Sequence, residues 1–454
     1  MTEIQFLTIA IDNWLTLAPL TLLCSVALWF SIRDRLAAGV LDPMTLTLVF
    51  AFGINYGIVL FMRIEDLIDW PLFLMVASYA VLFIMALRIS SSAKAPPLIY
   101  TYFSRLSDER LGSSVFTISA LIYAAFSLLI FSSIGFGILA ETNRFDVARG
   151  YGAAIRIMDG LSPFIIAYAA LAIIEKPSGR GAKFILLGVF ILYAAIVNGA
   201  KASVIYSLSI MFLSLSMSRF KVRISTWQAI MVVVVGLSFS AIALSINLNN
   251  NNVRAENTDP LAMSSSQVIA RLAYRFIGFG DTSYLILPNH IIDGLQKDSV
   301  AARFIAPVVG NDNLGKLLGY EVADYSVGRQ ALLHYAPNSA VGGGPTSHFD
   351  FFAYVYFGPI GGVFFIIILG WFLGRISRAV HLTSQNVDTQ NNKLLISLMA
   401  AIWARGVLVV IEPTVALAYV LDIIVLFTVI IIMAMGIHGP GTGAAPRPSP
   451  HPHH

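Results

Sequence analysis

The sequence predicts an all-α, polytopic membrane protein, and three observations carry that prediction. Hydrophobic residues fill 57% of the 454 positions and charged residues only 12%, half the roughly 25% of a soluble domain. Apolar stretches near 20 residues long recur along the chain, enough to cross about 30 Å of hydrocarbon as helices whose backbone groups are satisfied internally. Lys and Arg gather in alternate gaps between these stretches, as they do in short cytoplasmic loops.

Eleven spans follow, at residues 14–32, 43–61, 70–88, 114–140, 158–174, 184–199, 202–217, 226–246, 351–374, 394–411 and 415–435. Glu3 and Asp12 precede the first, with no Lys or Arg, which is the wrong flank for a cleavable signal peptide. It is therefore read as a membrane helix. Cys24, the single cysteine, lies inside it, which excludes an intramolecular disulfide and a Cys-rich metal site. With the N-terminus outside, the cytoplasmic segments hold sixteen Lys and Arg against six Asp and Glu, and the remainder of the chain holds thirteen basic and nineteen acidic residues. The expected topology is N-out and C-in, and in a bacterial inner membrane the outer side is the periplasm. The net charge of +4 is then a topology signal, and no basic stripe suggests nucleic acid.

Four regions result. Residues 1–246 hold spans one to eight, 247–350 form one large periplasmic loop, 351–435 hold spans nine to eleven, and 436–454 are a Pro-, Gly- and His-rich cytoplasmic tail expected to be disordered. A loop of that length should carry helices of its own and the chemistry. It opens with the run Asn249 to Asn252. Val268, Ile269, Leu272, Ala273, Phe276 and Ile277 stand at helical spacing within 261–277, which predicts an amphipathic helix at the membrane surface. Gly342, Gly343, Gly344 and Pro345 predict a flexible hinge into span nine.

The anomaly is a set of basic residues on the wrong side. Arg149 and Arg156 lie in the loop after span four, Arg271 and Arg275 in the long loop, Lys201 at the turn joining spans six and seven, and Arg405 six residues before the end of span ten. Arg405 sits about 9 Å below the outer surface at 1.5 Å per residue, where a cation needs a wet cavity or a counter-ion. Asp422, at similar depth in span eleven, is the expected counter-ion. Each group has a bland reading: a structural ion pair for Arg405, snorkelling for Arg271 and Arg275, a solvated loop face for Arg149 and Arg156. Converging on one outer cavity, they suit a pyrophosphate, which Arg grips bidentately. His348 and Asp350 stand where the chain enters span nine and are either bases for a sugar hydroxyl or helix-capping residues. Walker A, HExxH, GxSxG and DxD sequences are absent.

The chain resembles the lipid-linked polysaccharide polymerases of the Wzy type. The likeness covers the whole architecture and rests locally on Tyr356-Phe357-Gly358-Pro359-Ile360-Gly361, Asn198-Gly199-Ala200-Lys201, Arg405-Gly406, and Arg149 followed ten residues on by Gly160. Where relatives often carry Arg, this chain has Lys201. The resemblance implies a GT-C-like membrane glycosyltransferase that joins undecaprenyl-pyrophosphate-linked oligosaccharides, donor and acceptor, into O-antigen or exopolysaccharide. It implies no cofactor and no metal, and it implies membrane lipids and a chain-length regulator as further partners. Arg149, Arg156, Lys201, Arg271, Arg275 and Arg405 would bind pyrophosphate, with His348 or Asp350 as base. The same elements resemble O-antigen ligases, which use a His near the end of the large loop. A lipid flippase is the non-enzymatic alternative, though the internal repeats of a transporter are not evident.

Overall fold

The computed structural model describes residues 2–134, 150–176, 178–198, 203–220, 227, 231, 276–337, 343–386 and 389–438. Among them there is no strand. The helices are α1 (Glu3–Asp12), α2 (Trp14–Ile32), α3 (Phe52–Ile64, entered through a π-wound turn at Thr45–Ala51), α4 (Trp70–Ser91), α5 (Leu98–Leu106), α6 (Gly112–Ile134), α7 (Gly152–Glu175), α8 (Arg180–Asn198) and α9 (Ser203–Met217). The long loop contributes α10 (Asp281–Ile286), α11 (Val300–Val309), α12 (Asn311–Leu318) and α13 (Val327–Tyr335), before α14 (Phe349–Gln385), α15 (Lys393–Gly406) and α16 (Pro413–His438).

Eight helices among the described residues are long and apolar enough to cross a membrane. Of the three further expected spans, 184–199 falls in α8, 202–217 corresponds to the 15-residue α9, and 226–246 lies almost wholly outside the described residues. The Asn run lies there too, as does the expected amphipathic helix apart from Phe276 and Ile277.

Burial sorts the helices. The apolar window of α15 is 83% buried and those of α3 and α7 72%, against 17% for α2. The first three form the centre, and α2 faces outward. Close approach comes from small residues, which let backbones touch where no hydrophobic force separates helix from lipid. Gly53 and Gly57 of α3 lie against Ser25 and Thr21 of α2, and Gly362, Gly370 and Gly374 of α14 lie along Tyr79, Phe83 and Ser90 of α4, so α4 and α14 run parallel.

Helix α14 reverses near its start. Gly358 adopts φ 71° and ψ 179° ahead of Pro359, a conformation glycine tolerates, and the Tyr79 hydroxyl donates to the carbonyls at the turn, Gly358 (3.3 Å) and Pro359 (2.8 Å). The two arms fold together: the Phe352 and Phe365 rings are 5.5 Å apart, whereas thirteen residues of straight helix would separate them by about 20 Å. The first arm therefore begins deep. Phe349 packs on Phe83 at 4.6 Å, about 20 Å along α4 from Trp70. His348 and Asp350 thus lie well inside the bundle, not at the loop-to-membrane junction that the sequence suggested. The Gly-Pro segment leading there is packed: a Cβ on Gly344 would stand 2.9 Å from the Arg329 backbone, and one on Gly328 would stand 1.8 Å from the Pro345 carbonyl.

Polar contacts sort the connections into two ends. At one, Arg35 meets Ser92, Arg375 meets Ala95, Asn392 meets Ser107, and Lys393 pairs with Glu175. At the other, His290 pairs with Asp69, Tyr354 donates to Asp293 and Tyr284 to Glu3. Segments that the charge pattern assigns to one side do meet on one side.

A Cβ at Gly374 would lie 1.9 Å from Ser90 Oγ and 2.4 Å from the Leu87 carbonyl, whereas Gly188 has nothing within 4 Å. Gly374→Leu should therefore lower the thermal midpoint of the purified protein, the overpacking costing about 1–3 kcal/mol. Gly188→Leu should leave it unchanged; equal midpoints would contradict the α4–α14 packing.

Candidate functional site

Two clusters stand at the two ends of segment 405–412. The first is a charged ladder between α7, α15 and α16. Helix α7 begins at Gly152, so Arg156 is a helical residue with Asp159 one turn further on. Arg156 grips Asp422 bidentately, Nη2 to Oδ1 at 2.7 Å and Nε to Oδ2, and its Nη1 donates to the Val308 carbonyl of α11 at 3.0 Å. Arg405 donates through Nε (3.1 Å) and Nη2 to the Asp159 carbonyl and stands 3.5 Å from Asp159 Oδ1. The Tyr419 ring lies 5.2 Å from the Arg405 guanidinium carbon and 6.0 Å from that of Arg156, within cation–π range of both. The expected Arg405–Asp422 pair is not formed. Helix α7 presents an Asp and an Arg on adjacent turns, and each takes the partner nearest its own level.

The second cluster surrounds the start of α14. The His348 N–H donates to the Ile411 carbonyl (2.9 Å), and Glu412 Oε1 accepts from the Ser347 N–H (2.6 Å), so the α15–α16 turn is stitched to the incoming chain. The His348 ring lies against Phe52 (4.9 Å) and Phe351 (5.6 Å), and its backbone is held at φ 47°, a left-handed value that costs a non-glycine residue of order 1–3 kcal/mol. Asp350 Oδ1 accepts from the Phe351 N–H. Ser283 donates to Asn55, and Thr282 donates to the Thr346 carbonyl at 2.5 Å. Four buried atoms in this cluster lack a hydrogen-bond partner: Asn55 Nδ2, Tyr56 Oη, His348 Nδ1 and Asp350 Oδ2. Each such atom costs about 1–3 kcal/mol, more than packing alone would select. His348 and Glu412 belong to connections between helices, and burial acts on them in opposite directions. It pushes the imidazole down to about 3 and the Glu412 carboxyl up to about 7.

Segment 405–412 links the clusters, with Arg405 and Glu412 separated by roughly 12 Å of α- and 3₁₀-helical rise. Of the residues expected to bind pyrophosphate, Arg156 and Arg405 come together here, while Arg149, Lys201, Arg271 and Arg275 lie outside the described residues. Glu412 escaped the sequence reading; its signal is one acid in the short break between two apolar runs. Buried Arg303 escaped as well. It pairs with Asp298 at 2.6 Å beneath the hydroxyls of Tyr320 and Tyr356 and fixes the loop onto α14. No group of three His, Cys, Asp or Glu able to hold a metal occurs among the described residues. Cavities of about 230 Å³, beside Glu175, Arg219 and Lys393, and about 290 Å³, beside Gln296, Gln330 and His334, lie away from both clusters. Comparison with family models, curated proteins and solved structures finds no match for this chain.

The pairing is open to a double-mutant cycle on thermal unfolding. Arg156→Gln and Asp422→Asn should couple by about 0.5–3 kcal/mol, whereas Arg405→Gln with Asp422→Asn should be near additive. The opposite order would restore the Arg405–Asp422 pair.

Proposed function

We propose that the protein is a membrane glycosyltransferase that polymerises undecaprenyl-pyrophosphate-linked oligosaccharide units into O-antigen or exopolysaccharide. The observation that carries this reading is the pair of guanidiniums, Arg156 and Arg405, flanking Tyr419 inside an apolar bundle. Charge so placed is expensive and marks function, and a planar fork fits diphosphate oxygens. In this reading the scaffold is GT-C-like with eleven spans, and the loop end faces the periplasm of a bacterial inner membrane with the C-terminus in the cytoplasm.

The acceptor hydroxyl attacks C1 of the donor's reducing-end sugar. The C1–O bond to the lipid pyrophosphate breaks, its electron pair leaves with the pyrophosphate, and the hydroxyl proton passes to a base. Arg156 and Arg405 stabilise the charge growing on the leaving group, with Arg149, Lys201, Arg271 and Arg275 as further contacts. His348 is a weak base at neutral pH because burial holds it neutral down to about 3. Glu412, poised near 7, matches the task better, and Asp350 is the neighbouring carboxylate.

On a Cys24→Ser background, Lys297→Cys should react with an impermeant maleimide in intact spheroplasts and Lys94→Cys only after lysis; the reverse would invert the orientation. Arg405→Lys should reach the membrane at normal level yet lose long surface polysaccharide while single capped units persist. Normal chain lengths would remove Arg405 from the site, and loss of all attached glycan in a deletion strain would indicate a ligase. Glu412→Gln keeps an acceptor for the Ser347 N–H, so a fall in rate of about 10² to 10⁴ would report proton transfer. Wild-type turnover should fall as pH drops through about 7, where Glu412 becomes protonated; a flat profile, or a larger loss in His348→Ala, would move the base to another group.

A further inference from the structure

Arg156 and Arg405 are not held alike. Arg405 is anchored twice to the Asp159 main-chain carbonyl and lies beside that residue's carboxylate, with side chains 13% and 17% exposed. Arg156 rests on a side chain instead, and its partner Asp422 is 30% exposed, the most open member of the ladder. A carboxylate that occupies a guanidinium fork bidentately uses the donors that two phosphate oxygens would use. The remaining donor, Nη1, holds the Val308 carbonyl, and α11 presents Ile305, Val308 and Val309 as exposed apolar side chains next to the pair. A single guanidinium thus joins an acid, a loop helix and an apolar strip suited to a lipid chain.

We propose that Asp422 is an internal stand-in for the ligand: a diphosphate exchanges with the Asp422 carboxylate on Arg156, its further oxygens take Nη1 from the Val308 carbonyl, and α11 is thereby loosened from the bundle. This rests on the reading of Arg156 as a pyrophosphate ligand and adds the competitor and the latch. Exchange, rather than addition, keeps the guanidinium paired throughout, and the carboxylate it releases is Asp422, the most exposed member of the ladder at 30%. Arg405 stays fixed on Asp159 as the stationary half of the site. Discrimination follows from the same competition. A monoanion gains little over Asp422, whereas a diphosphate brings extra charge and can reach Arg405 as well.

The test is calorimetric titration of inorganic pyrophosphate into the full chain in nanodiscs of neutral lipid, with a parallel arm in which farnesyl pyrophosphate is incorporated. Removing the competitor should tighten binding: Asp422→Asn is expected to lower the pyrophosphate Kd about two- to fivefold, since a partly exposed pair contributes up to about 1 kcal/mol. Arg156→Gln should abolish binding in both arms. Tighter binding of farnesyl pyrophosphate than of pyrophosphate would identify a lipid-borne ligand, and equal affinities a free diphosphate. An unchanged or weaker Kd in folded Asp422→Asn overturns the exchange. Should that variant fail to fold, Val308→Cys on the Cys24→Ser background gives a second readout. Pyrophosphate should raise its maleimide labelling rate several-fold, and no change overturns the latch. Neither measurement requires glycan synthesis. Exchange without any effect on polysaccharide would therefore refute the polymerase reading alone, and altered chain lengths without exchange would refute this inference alone.

Discussion

The architecture turns on the hydrogen bonds from Tyr79 to the carbonyls of Gly358 and Pro359. A reversal inside an apolar bundle strands backbone acceptors where water cannot reach them, and each stranded group costs several kcal/mol. One phenol hydroxyl from α4 holds the turn, 2.8 Å from the Pro359 carbonyl and 3.3 Å from that of Gly358. With the reversal secured, α14 packs its long arm against α4 through glycines and sends its short arm back toward the same end of the bundle. The chain feeding that short arm must then start deep, which carries Ser347, His348 and Asp350 down beside Asn55 and Tyr56. The depth of the polar cluster is a consequence of one turn.

The embedded charges obey a related constraint. A lone guanidinium among apolar helices is costly, and the bundle answers with two carboxylates for two arginines on three central or near-central helices. The Tyr419 ring lies within cation–π range of both, 5.2 Å from the Arg405 guanidinium carbon and 6.0 Å from that of Arg156. The ladder is neutral as it stands, so any anion that binds there must either displace a carboxylate or bring cations of its own. That requirement ties the electrostatics of the resting protein to its chemistry. In the proposed reaction, the pairs that stabilise the fold are the contacts an anionic substrate has to compete with.

In the proposed reaction the two clusters divide the work of glycosyl transfer. Fixed positive charge belongs where the leaving group departs, and a tunable acid belongs where the acceptor hydroxyl loses its proton. Segment 405–412 carries one of each within a short, irregular stretch whose geometry α15 and α16 fix at either end. The Ser347–Glu412 and His348–Ile411 hydrogen bonds bind that stretch to the loop's final residues.

By itself the sequence determined that the chain is helical, that it crosses a membrane several times, and which connections share a side, because hydrophobic length and charge asymmetry are local quantities read one segment at a time. It also marked Arg156, Arg405, His348 and Asp350, since a charge or an imidazole beside an apolar run is conspicuous in one dimension. Tertiary structure alone decided that Asp422 belongs to Arg156 and not to Arg405, because pairing depends on which faces of α7, α15 and α16 meet, and hydropathy is blind to faces in helices that are apolar all round. It alone placed His348 inside the bundle: Gly358-Pro359 could as well end a helix as reverse one until Tyr79 is present to take the carbonyls. Glu412 stayed unmarked for the same reason. An acid in a turn reads as solvated, and only the descent of Ser347 onto that turn buries it.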